Sequence, residues 1–319
     1  MTELERAVQL LRAGELVAIP TETVYGLGAD ASNPVAVAKI FAAKGRPADH
    51  PLIVHIADAR ALDAWAIDIP PLARRLAESF WPGPLTLILK RHANVPAAVT
   101  GGQDTVGLRV PNHPLSLQLL RAFGGGIAAP SANKFGRISP TTASHVREEL
   151  GDAVQLVLDG GPCAVGIEST IVDLSRGGLQ ILRPGMISAE QIARVAGDAT
   201  AASDTSVPRV SGSLDAHYAP CTTMQLLERS VFEITIEQAR TGNERIAVLS
   251  FHAAPTSSQR LVWRQISNEP AAYAHDLYAA LRELDATGCQ QILVEAPPAN
   301  DTWAAVNDRL RRATTGAGR

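Results

Sequence analysis

The stretch Pro20-Thr21-Glu22-Thr23-Val24-Tyr25-Gly26-Leu27-Gly28 follows directly on the apolar run Leu16–Ile19. Such a run predicts a buried strand, and the proline ends it because proline has no backbone N–H to donate to a sheet. The residues after the proline carry hydroxyl, carboxylate and phenol groups beside two glycines. The pattern therefore predicts a ligand site at the end of a strand, with the glycines forming a tight turn around a small molecule.

A helix is predicted from Asn33-Pro34 to Gly45, with Asn33 as the N-cap and Pro34 at the first helical position. It ends in the sequence Lys44-Gly45-Arg46-Pro47. Two cations at this end could simply complement the negative end of the helix dipole. Because the pair returns close to the Thr-Glu-Thr turn, a role at the ligand site is the second interpretation.

Apolar runs and helical periodicities alternate along the first 196 residues, which predicts an α/β domain. The runs Thr170–Leu174 and Leu179–Leu182 are separated only by Ser175-Arg176-Gly177-Gly178, which indicates a hairpin and therefore a mixed parallel and antiparallel sheet. Ser188 and Gln191 have the spacing of a capping box. Further strands are predicted at Leu52–Ile56, Leu85–Lys90, Thr105–Val110, Ile127–Ala129 and Val154–Leu158, and helices at Glu3–Ala13, Pro70–Ser79, Pro114–Ala122, Thr142–Leu150 and Ala189–Ala196.

The sequence from Gly197 to Gly212 loses its apolar periodicity and is rich in Ala, Ser, Thr, Asp and Pro, which is typical of a linker. We therefore predict a first domain over residues 1–197, a linker over 198–220 and a small Rossmann-like α/β domain over 221–319. In the small domain, strands are predicted at Met224–Leu227, Ile246–Phe251, Leu261–Ile266 and Gln291–Val294, and helices at Ala271–Leu284 and Trp303–Arg312.

The composition is that of a soluble globular protein, with 46% hydrophobic and 19% charged residues among 319. No run of about 18 apolar residues occurs, and Met1–Arg12 has no uninterrupted apolar region, so neither a membrane span nor a signal peptide is indicated. We expect a cytoplasmic protein. The net charge of −3 does not suggest a surface built to hold nucleic acid. Any contact with RNA is expected to be local or made through a partner.

Three familiar motifs are incomplete. The sequence Gly26–Ala31 matches GxGxxA, but the acidic residue expected at the end of a second strand is missing, which disfavours a dinucleotide site. Ser131 lacks the flanking glycines of a nucleophile elbow, so hydrogen bonding to a ligand is the better interpretation. The cysteines lie far apart without a CxxC pair, which argues against a disulfide framework and a structural zinc and favours simple packing at Cys163, Cys221 and Cys289.

Two arginines stand on predicted strands. Arg109 follows Val106-Gly107-Leu108, and a buried arginine needs an anionic partner, either a structural glutamate or a ligand carboxylate. Arg183 ends another strand with a cation. Beyond the linker, the aromatic pair His217-Tyr218 is predicted to lie in a surface turn, with a lid over a site as the alternative.

The motifs Pro20–Leu27, Lys44-Gly45-Arg46-Pro47, Ser131-Ala132-Asn133 and His217-Tyr218-Ala219-Pro220, in this order, resemble the longer, two-domain YrdC-like L-threonylcarbamoyladenylate synthases. The resemblance covers essentially the whole chain. It implies a twisted mixed sheet with a large open cavity, a long linker that can fold over the cavity, and a Rossmann-like second domain.

The resemblance also implies the substrates and the residues that bind them. Lys44 and Arg46 become the catalytic cations that stabilise phosphate charge, and Mg²⁺ accompanies ATP without ligands from protein side chains. His50 stands where many relatives carry Asn, which makes its contact sensitive to pH. The implied L-threonine pocket comprises Tyr25, His55, Arg109, Ala129 and Ser169; the implied ATP site comprises Arg46, His50, Thr105, Ser131, Ser139, Arg183 and Tyr218, with Lys44, Thr23 and Asn133 completing the signature.

The implied activity is nucleotidyl transfer, in which L-threonine, bicarbonate and ATP give threonylcarbamoyl-AMP and pyrophosphate. Threonine would first form N-carboxythreonine, whose new carboxylate attacks the α-phosphorus without a protein nucleophile. Partner proteins then pass the group to an adenosine beside the anticodon of tRNA. Two alternatives are a carbamoyl transferase of hydrogenase maturation, whose zinc fingers are missing here, and an RNA-binding or ribosome-maturation module without catalysis.

Overall fold

The computed structural model describes residues 1–197, 207–212, 214–255 and 260–318. Within these ranges the chain divides into two compact units, the first from Met1–Phe135, Pro140–Ala164 and Glu168–Ser213, the second from Gly136–Ser139, Val165–Ile167 and Leu214–Arg319. The predicted linker falls partly on residues 198–206 and 213, which lie outside the described ranges. Its residues 207–212 belong to the first unit.

The helices of the first unit begin where the sequence offers caps. Asn33 accepts hydrogen bonds from the backbone N–H groups of Val35 and Ala36 at 3.0 and 3.3 Å, and the same helix ends at Gly45 with a φ of 64°. This confirms the predicted start and end of that helix. The helices are α1 (Glu3–Arg12), α2 (Pro34–Lys44), α3 (Leu62–Trp65), α4 (Pro71–Phe80), α5 (Ala97–Thr100), α6 (Pro114–Phe123), α7 (Ala143–Leu150) and α8 (Ala189–Ala196).

The described part of the first unit contains one mixed ten-stranded sheet. Its main path runs β10-β9-β5-β6-β3-β7-β2-β1-β8, and β4 pairs with β5. The predicted hairpin forms, because β9 and β10 pair antiparallel, while β9 pairs parallel with β5. The strands are β1 (Val17–Ile19), β2 (Gly26–Asp30), β3 (Ile53–His55), β4 (Ala66–Ile67), β5 (Leu85–Arg91), β6 (Thr105–Arg109), β7 (Ile127–Ala128), β8 (Leu156–Val157), β9 (Thr170–Asp173) and β10 (Gln180–Arg183).

The two glycines of the opening motif do not form the tight turn that the sequence predicted. They lie in β2, which pairs antiparallel with β1, and neither has a positive φ. A Cβ at Gly28 would lie 2.9 Å from the carbonyl oxygen of Val17, and one at Gly26 would lie 3.0 Å from the Cβ of Ala129. The glycines are therefore needed because neighbouring backbone and side chains approach closely, which a single sequence does not reveal.

A short segment, residues 207–212, lies on one face of this sheet and is called the strap below. The side chain of Val210 packs against Ile88 and Ile171, which project from β5 and β9. The strap therefore shares a small apolar cluster with the sheet and is part of the packed first unit.

The second unit holds a four-stranded parallel sheet in the order β11-β14-β12-β13. Its strands are β11 (Thr223–Leu227), β12 (Ile246–Ser250), β13 (Leu261–Gln265) and β14 (Gln291–Glu295), and its helices are α9 (Arg229–Thr241), α10 (Pro270–Asp285) and α11 (Ala304–Gly316). Parallel strands connected through helices confirm the predicted Rossmann-like class. No helix of the described ranges is long and apolar enough to cross a membrane.

The helix α9 was missed by the sequence analysis. Its β-branched residues, such as Val231, Thr235 and Ile236, have lower helix propensity, and its N-cap Glu228 makes no side-chain capping bond. Phe232 and Ile236 are buried in a cluster with Val248 and Leu293 of the sheet. Tertiary packing rather than local propensity therefore stabilises this helix.

Candidate functional site

The first group of predicted site residues lies where β3 and β6 end. These strands are parallel, and their register pairs His55 with Arg109. Cross-strand partners present their side chains on the same face of a sheet. The imidazole and the guanidinium therefore lie side by side on one face, although they are 54 positions apart in sequence.

Arg109 is held by the glutamate of the opening motif. Its Nη2 donates to Glu22 Oε1 at 2.6 Å, and its Nε donates to the carbonyl oxygen of Gly83 at 3.3 Å. The other oxygen of Glu22 accepts a hydrogen bond from the backbone N–H of Asn112 at 2.8 Å. Both side chains of the pair are about 5% exposed. Arg109 thus has the structural anion that was one of its two predicted partners, while its Nη1 makes no hydrogen bond to a described residue.

His55 is buried beside this pair; the backbone of Ile53 and Ile127 lies near its ring, but neither ring nitrogen makes a hydrogen bond of acceptable geometry with a described residue. Burial, and then the charge of Arg109, lower the pKa of His55 to about 3. The ring is therefore neutral at physiological pH, with one nitrogen as a hydrogen-bond donor and the other as an acceptor. A buried unpartnered imidazole costs folding free energy, which is common where a ligand completes the hydrogen bonds.

The depressed pKa of His55 predicts a pH dependence of stability. Between pH 6.5 and about 3 the unfolded chain binds a proton at this residue while the folded chain does not, so stability falls as the pH is lowered. We expect His55 to account for a loss of about 1.4 kcal/mol per pH unit below pH 6. Urea unfolding of the wild type and of His55→Gln at pH 7, 6 and 5 measures this difference. Parallel pH profiles for the two proteins would contradict the burial of a neutral imidazole.

The polar side chains on this face of the sheet continue across β5 to Ser169, the residue before β9. Thr86 lies opposite Arg109, since the register pairs Leu87 with Leu108. The hydroxyls of Thr86 and Ser169 lie 2.8 Å apart, and Arg183 donates from Nη2 to Ser169 Oγ at 3.2 Å. The strand-end row therefore consists of His55, Arg109, Thr86, Ser169 and Arg183.

A second group forms around Lys44, which we call the lysine cluster. The ammonium of Lys44 donates to the carbonyl oxygens of Ser131 and Asn133, the latter at 2.6 Å. Lys44 is 2% exposed. Burial, followed by the nearby charge of Arg46, lowers its pKa. The lysine at the end of α2 therefore fixes the backbone of the Ser131–Asn133 loop, which also forms a bridge with Gly26.

The polar residues of the opening motif are themselves ordered by hydrogen bonds. The hydroxyls of Thr21 and Thr23 lie 2.8 Å apart, and Thr21 also donates to the carbonyl oxygen of Val24 at 2.6 Å. The Tyr25 hydroxyl donates to the carbonyl oxygen of Gly161 at 2.8 Å and accepts from the N–H of Gly160. Burial raises the pKa of Tyr25 to about 12, so the phenol stays protonated. The residues of the motif that precede β2 therefore form a buried turn that these hydrogen bonds hold in place.

Two further predicted site residues, Arg46 and His50, lie against the ring of Phe135. The guanidinium of Arg46 lies 5.9 Å from the centre of the Phe135 ring, and the His50 ring meets it edge-on at 5.3 Å. Arg46 also donates to the carbonyl oxygen of Pro51 at 2.9 Å. Burial, and then the charge of Arg46, lower the pKa of His50. Ala129 follows directly on β7, and its N–H donates to the carbonyl oxygen of Ile53 at the start of β3 at 3.0 Å.

The strap is attached to the same unit by polar contacts. Gln103 accepts a hydrogen bond from the N–H of Arg209 at 2.8 Å and donates to its carbonyl oxygen at 3.0 Å. Arg209 forms an ion pair with Asp49 at 2.7 Å. Arg183 donates to the carbonyl oxygen of Ser211 at 2.8 Å. Thr105, predicted to bind ATP, lines the narrow space between sheet and strap.

Two predicted ATP ligands, Ser139 and Tyr218, belong to the second unit. Tyr218 is 1% exposed, with its ring stacked on Tyr278 at 5.7 Å and the guanidinium of Arg309 5.3 Å from its centre. The prediction of a surface turn for His217-Tyr218 is therefore wrong, because aromatic packing buries the pair. The prediction that all cysteines pack is wrong for Cys221, which is exposed and contacts Arg137.

Sequence reasoning missed several residues that organise the site. Glu22 was seen in the motif, but its pairing with Arg109 depends on a contact across 87 positions. Thr86 looked like part of an apolar strand, although a hydroxyl in the run Leu85–Leu89 was a usable signal. No feature of the sequence around Gln103 indicated a role at the site. Among the described residues, no group of three or more His, Cys, Asp or Glu side chains could hold a metal ion.

The fold and the site define an α/β protein whose mixed sheet gathers a fixed guanidinium, a neutral imidazole and several hydroxyls on one face. Such a site suits a small polar substrate that carries a carboxylate or phosphate. The family profile described as "Telomere recombination", of the Sua5, YciO and YrdC proteins, matches residues 9–185. The profile "Threonylcarbamoyl-AMP synthase, C-terminal domain" matches residues 187–315.

Curated relatives agree over nearly the full length. A threonylcarbamoyl-AMP synthase of Pyrococcus abyssi is 39% identical over 97% of this chain and 93% of its own, and that of Bacillus subtilis is 41% identical over 98% and 93%. The crystal structure of P. abyssi Sua5 complexed with L-threonine matches with a TM-score of 0.89 and 37% identity, covering 99% of this chain and 96% of that one. The chain belongs to the threonylcarbamoyl-AMP synthase family, which is a family of nucleotidyl-transferring enzymes.

Proposed function

We propose that the chain condenses L-threonine, bicarbonate and ATP to threonylcarbamoyl-AMP and pyrophosphate on the face of the first unit's sheet that carries the strand-end row. The observation that carries the proposal is the arrangement of Arg109 and His55. Arg109 is fixed by Glu22 yet keeps Nη1 available, and the adjacent His55 has no partner for either ring nitrogen. Both groups are preorganised for a small ligand that brings an anion and hydrogen-bonding groups.

In this proposal, L-threonine binds at the strand-end row. Its carboxylate accepts from Arg109 Nη1, and a charge-assisted bond of this kind contributes about 1.5 to 3 kcal/mol. His55 and Ser169 supply hydrogen bonds, Ala129 supplies apolar contact, and Tyr25 holds the wall through its bonds to Gly160 and Gly161. Apolar contact with one methyl group discriminates threonine from serine by only about 1 to 3 kcal/mol. Some use of serine at high concentration is therefore expected.

ATP is assigned to the Arg183 end of the strand-end row and to the cations and hydroxyls beyond it. Arg46, Arg183 and Lys44 provide positive charge for its phosphates. Lys44 already donates two hydrogen bonds to the Ser131–Asn133 loop, so its larger role is to position that loop against the nucleotide. The remaining proposed contacts in the first unit come from the buried turn, the loop, the Phe135 neighbourhood and the space beside the strap, at Thr23, His50, Thr105, Ser131 and Asn133. Ser139 and Tyr218 are assigned to ATP by the family resemblance alone.

The chemistry requires no covalent attachment to the protein. The neutral amine of threonine adds to CO₂ and loses a proton, or condenses with bicarbonate and releases water. The resulting carbamate oxygen attacks the α-phosphorus while pyrophosphate leaves. The protein orients the two substrates and neutralises developing phosphate charge. Mg²⁺ would enter with ATP and supply positive charge at its phosphates, and no protein side chain is assigned to hold it.

Pyrophosphate release by the purified chain tests the proposed function. We expect release only when ATP, Mg²⁺, L-threonine and bicarbonate are all present, and its loss when EDTA is added. Release without threonine would indicate a simple ATP hydrolase. A folded protein that releases none under any combination would overturn the proposal and favour a non-catalytic RNA-binding module, which tRNA binding at rising salt would then measure.

The strap is proposed to close over the bound substrates and shelter the labile carbamate from water. Gln103→Ala removes both hydrogen bonds between that side chain and the backbone of Arg209. Each bond contributes about 0.5 to 1.5 kcal/mol, so we expect amide hydrogen exchange in residues 207–212 to rise about tenfold. The rate of pyrophosphate release should fall in the same variant. Arg194→Ala, which removes an exposed ion pair with Glu190 on α8, is the control and should change neither quantity.

The product is proposed to pass to partner proteins that transfer the threonylcarbamoyl group to the adenosine beside the anticodon of tRNA. Such an activated carbamate in a cytoplasmic protein requires direct or rapid hand-over, because water hydrolyses a mixed anhydride. The net charge of −3 supports weak or indirect contact with tRNA.

A further inference from the structure

The second unit contains a cavity of about 540 Å³ that none of the synthase chemistry uses. It lies at the carboxyl ends of the parallel strands, where Glu228 follows β11, Phe251 and His252 follow β12, and Glu295 ends β14. Trp303, just before α11, closes one wall. A volume in this range is typical of a pocket for a small organic molecule.

The position of the cavity follows from the order of the strands. The chain leaves β12 toward the neighbouring edge strand β13, whereas it leaves β14 for α11, which packs beside β11 on the opposite side. The connections after β12 and β14 therefore diverge and open a crevice between the two strands. Open parallel sheets bind ligands at this kind of topological switch point.

The floor of the crevice carries a buried carboxylate that is only half satisfied. Oε2 of Glu295 accepts from Ser250 Oγ at 2.7 Å and from the N–H of Phe251 at 3.3 Å. Oε1 accepts no hydrogen bond from a described residue, and Nε2 of His252 lies 3.5 Å from it, within ion-pair range when the imidazole is protonated. The Glu295 side chain is 4% exposed, whereas that of His252 is 54% exposed. A buried anion without a full partner is costly, so a cationic donor in the cavity would stabilise it.

The rest of the lining also favours a cation. Glu228 follows Leu227, which is the register partner of Glu295, so two carboxylates stand at adjacent strand ends. The aromatic residues Phe251 and Trp303, whose rings meet edge-on at 5.7 Å, offer faces that attract ammonium groups. Arg229 is engaged by Glu233 at 3.0 Å on α9. This distribution disfavours a phosphate and favours an amine.

We propose that the crevice of the second unit is a binding site for a small organic amine, whose ammonium group donates to Glu295 Oε1 and lies against the aromatic wall. The site is separate from the synthase chemistry, because none of the residues that line it is assigned to threonine or ATP. In this proposal the second unit binds a ligand that is not a substrate of the synthase reaction.

Isothermal titration of the full chain with putrescine tests the proposal, with adenosine and inorganic phosphate as comparison probes. We expect saturable binding of putrescine, at least about tenfold weaker in Glu295→Gln. The amide keeps a hydrogen-bonding group in the buried position but removes the charge. Glu228→Gln, at an exposed position, provides a second test that does not disturb the buried carboxylate, and it should weaken binding several-fold.

Glu237→Gln is the matched control. This exposed glutamate lies on α9, the helix whose N-cap is Glu228, and it pairs with Arg240 outside the cavity. Its affinity for putrescine should equal that of the wild type. Equal weakening in all three variants would mean that amines bind only to the acidic surface, and the proposal would fail. It would fail equally if adenosine or phosphate bound in place of putrescine, or if no probe bound to a chain that releases pyrophosphate normally.

Discussion

Replacing Arg109 by alanine is expected to reduce the affinity for L-threonine by about 10- to 150-fold, because a charge-assisted bond to the substrate carboxylate is lost. The same change leaves Glu22 buried without its cation and should lower the free energy of unfolding by about 3 to 5 kcal/mol. Threonine dependence of pyrophosphate release and urea unfolding measure the two effects separately. Arg74→Ala, which removes a surface pair with Asp63, should affect neither.

Two additional variants separate binding from folding at this site. Removing both charges in Glu22→Gln with Arg109→Met avoids an unpaired buried ion, so stability should largely return while threonine use stays impaired. Glu22→Gln alone keeps Arg109 and should retain threonine binding better than Arg109→Ala. If the double variant used threonine normally, Arg109 would have only a structural role.

Replacing Lys44 by methionine is the second change with a large expected effect. It removes the donor shared by the carbonyl oxygens of Ser131 and Asn133, each of which then lacks its partner at a cost of about 1 to 3 kcal/mol. The loop should shift, and a displacement of about 1 Å in a substrate-positioning segment can reduce turnover about 100-fold. Steady-state pyrophosphate release with saturating ATP, followed by a crystal structure of the variant, measures both consequences.

Lys134→Ala is the control for Lys44, since Lys134 also donates to a main-chain carbonyl, that of Ala43 at 2.8 Å, but does so at the surface. We expect its activity to remain within about twofold of the wild type, as for most exposed contacts. Similar losses in both variants would show that charge near the Phe135 neighbourhood, rather than loop support, explains the effect.

Local signals in the sequence predicted those elements whose ends are defined by caps or turns. The helix from Asn33 to Gly45 has an N-cap, an early proline and a glycine end, and the hairpin after β9 has adjacent glycines. The strand β2 and the helix α9 were not predicted, because their stability comes from distant neighbours. Gly28 is tolerated in β2 since Val17 and Ile127 leave no space for a side chain, and α9 forms because Phe232 packs on the second sheet.

The residues of the candidate site likewise fall into those that the sequence could indicate and those whose role depends on distant contacts. The sequence placed Arg109 on a buried strand and required an anionic partner, but it could not choose between Glu22 and a ligand, because the choice depends on a contact between two distant strand ends. His55 entered only through the family resemblance; its isolation from hydrogen bonds is visible only in three dimensions. The residue-by-residue assignments to threonine and ATP remain predictions for the variants above.

The strap also bears on where the chain can be divided. Val210 covers Ile88 and Ile171, and Arg183 holds the backbone of Ser211. A fragment that stops at Gly197, where the composition suggests a natural boundary, would leave these isoleucines open to water and invite aggregation. A fragment that continues to Gly212 includes the strap, so Val210 still covers both isoleucines. For expression of the first unit alone, residues 207–212 are therefore part of the domain, and a fragment should extend at least to Gly212.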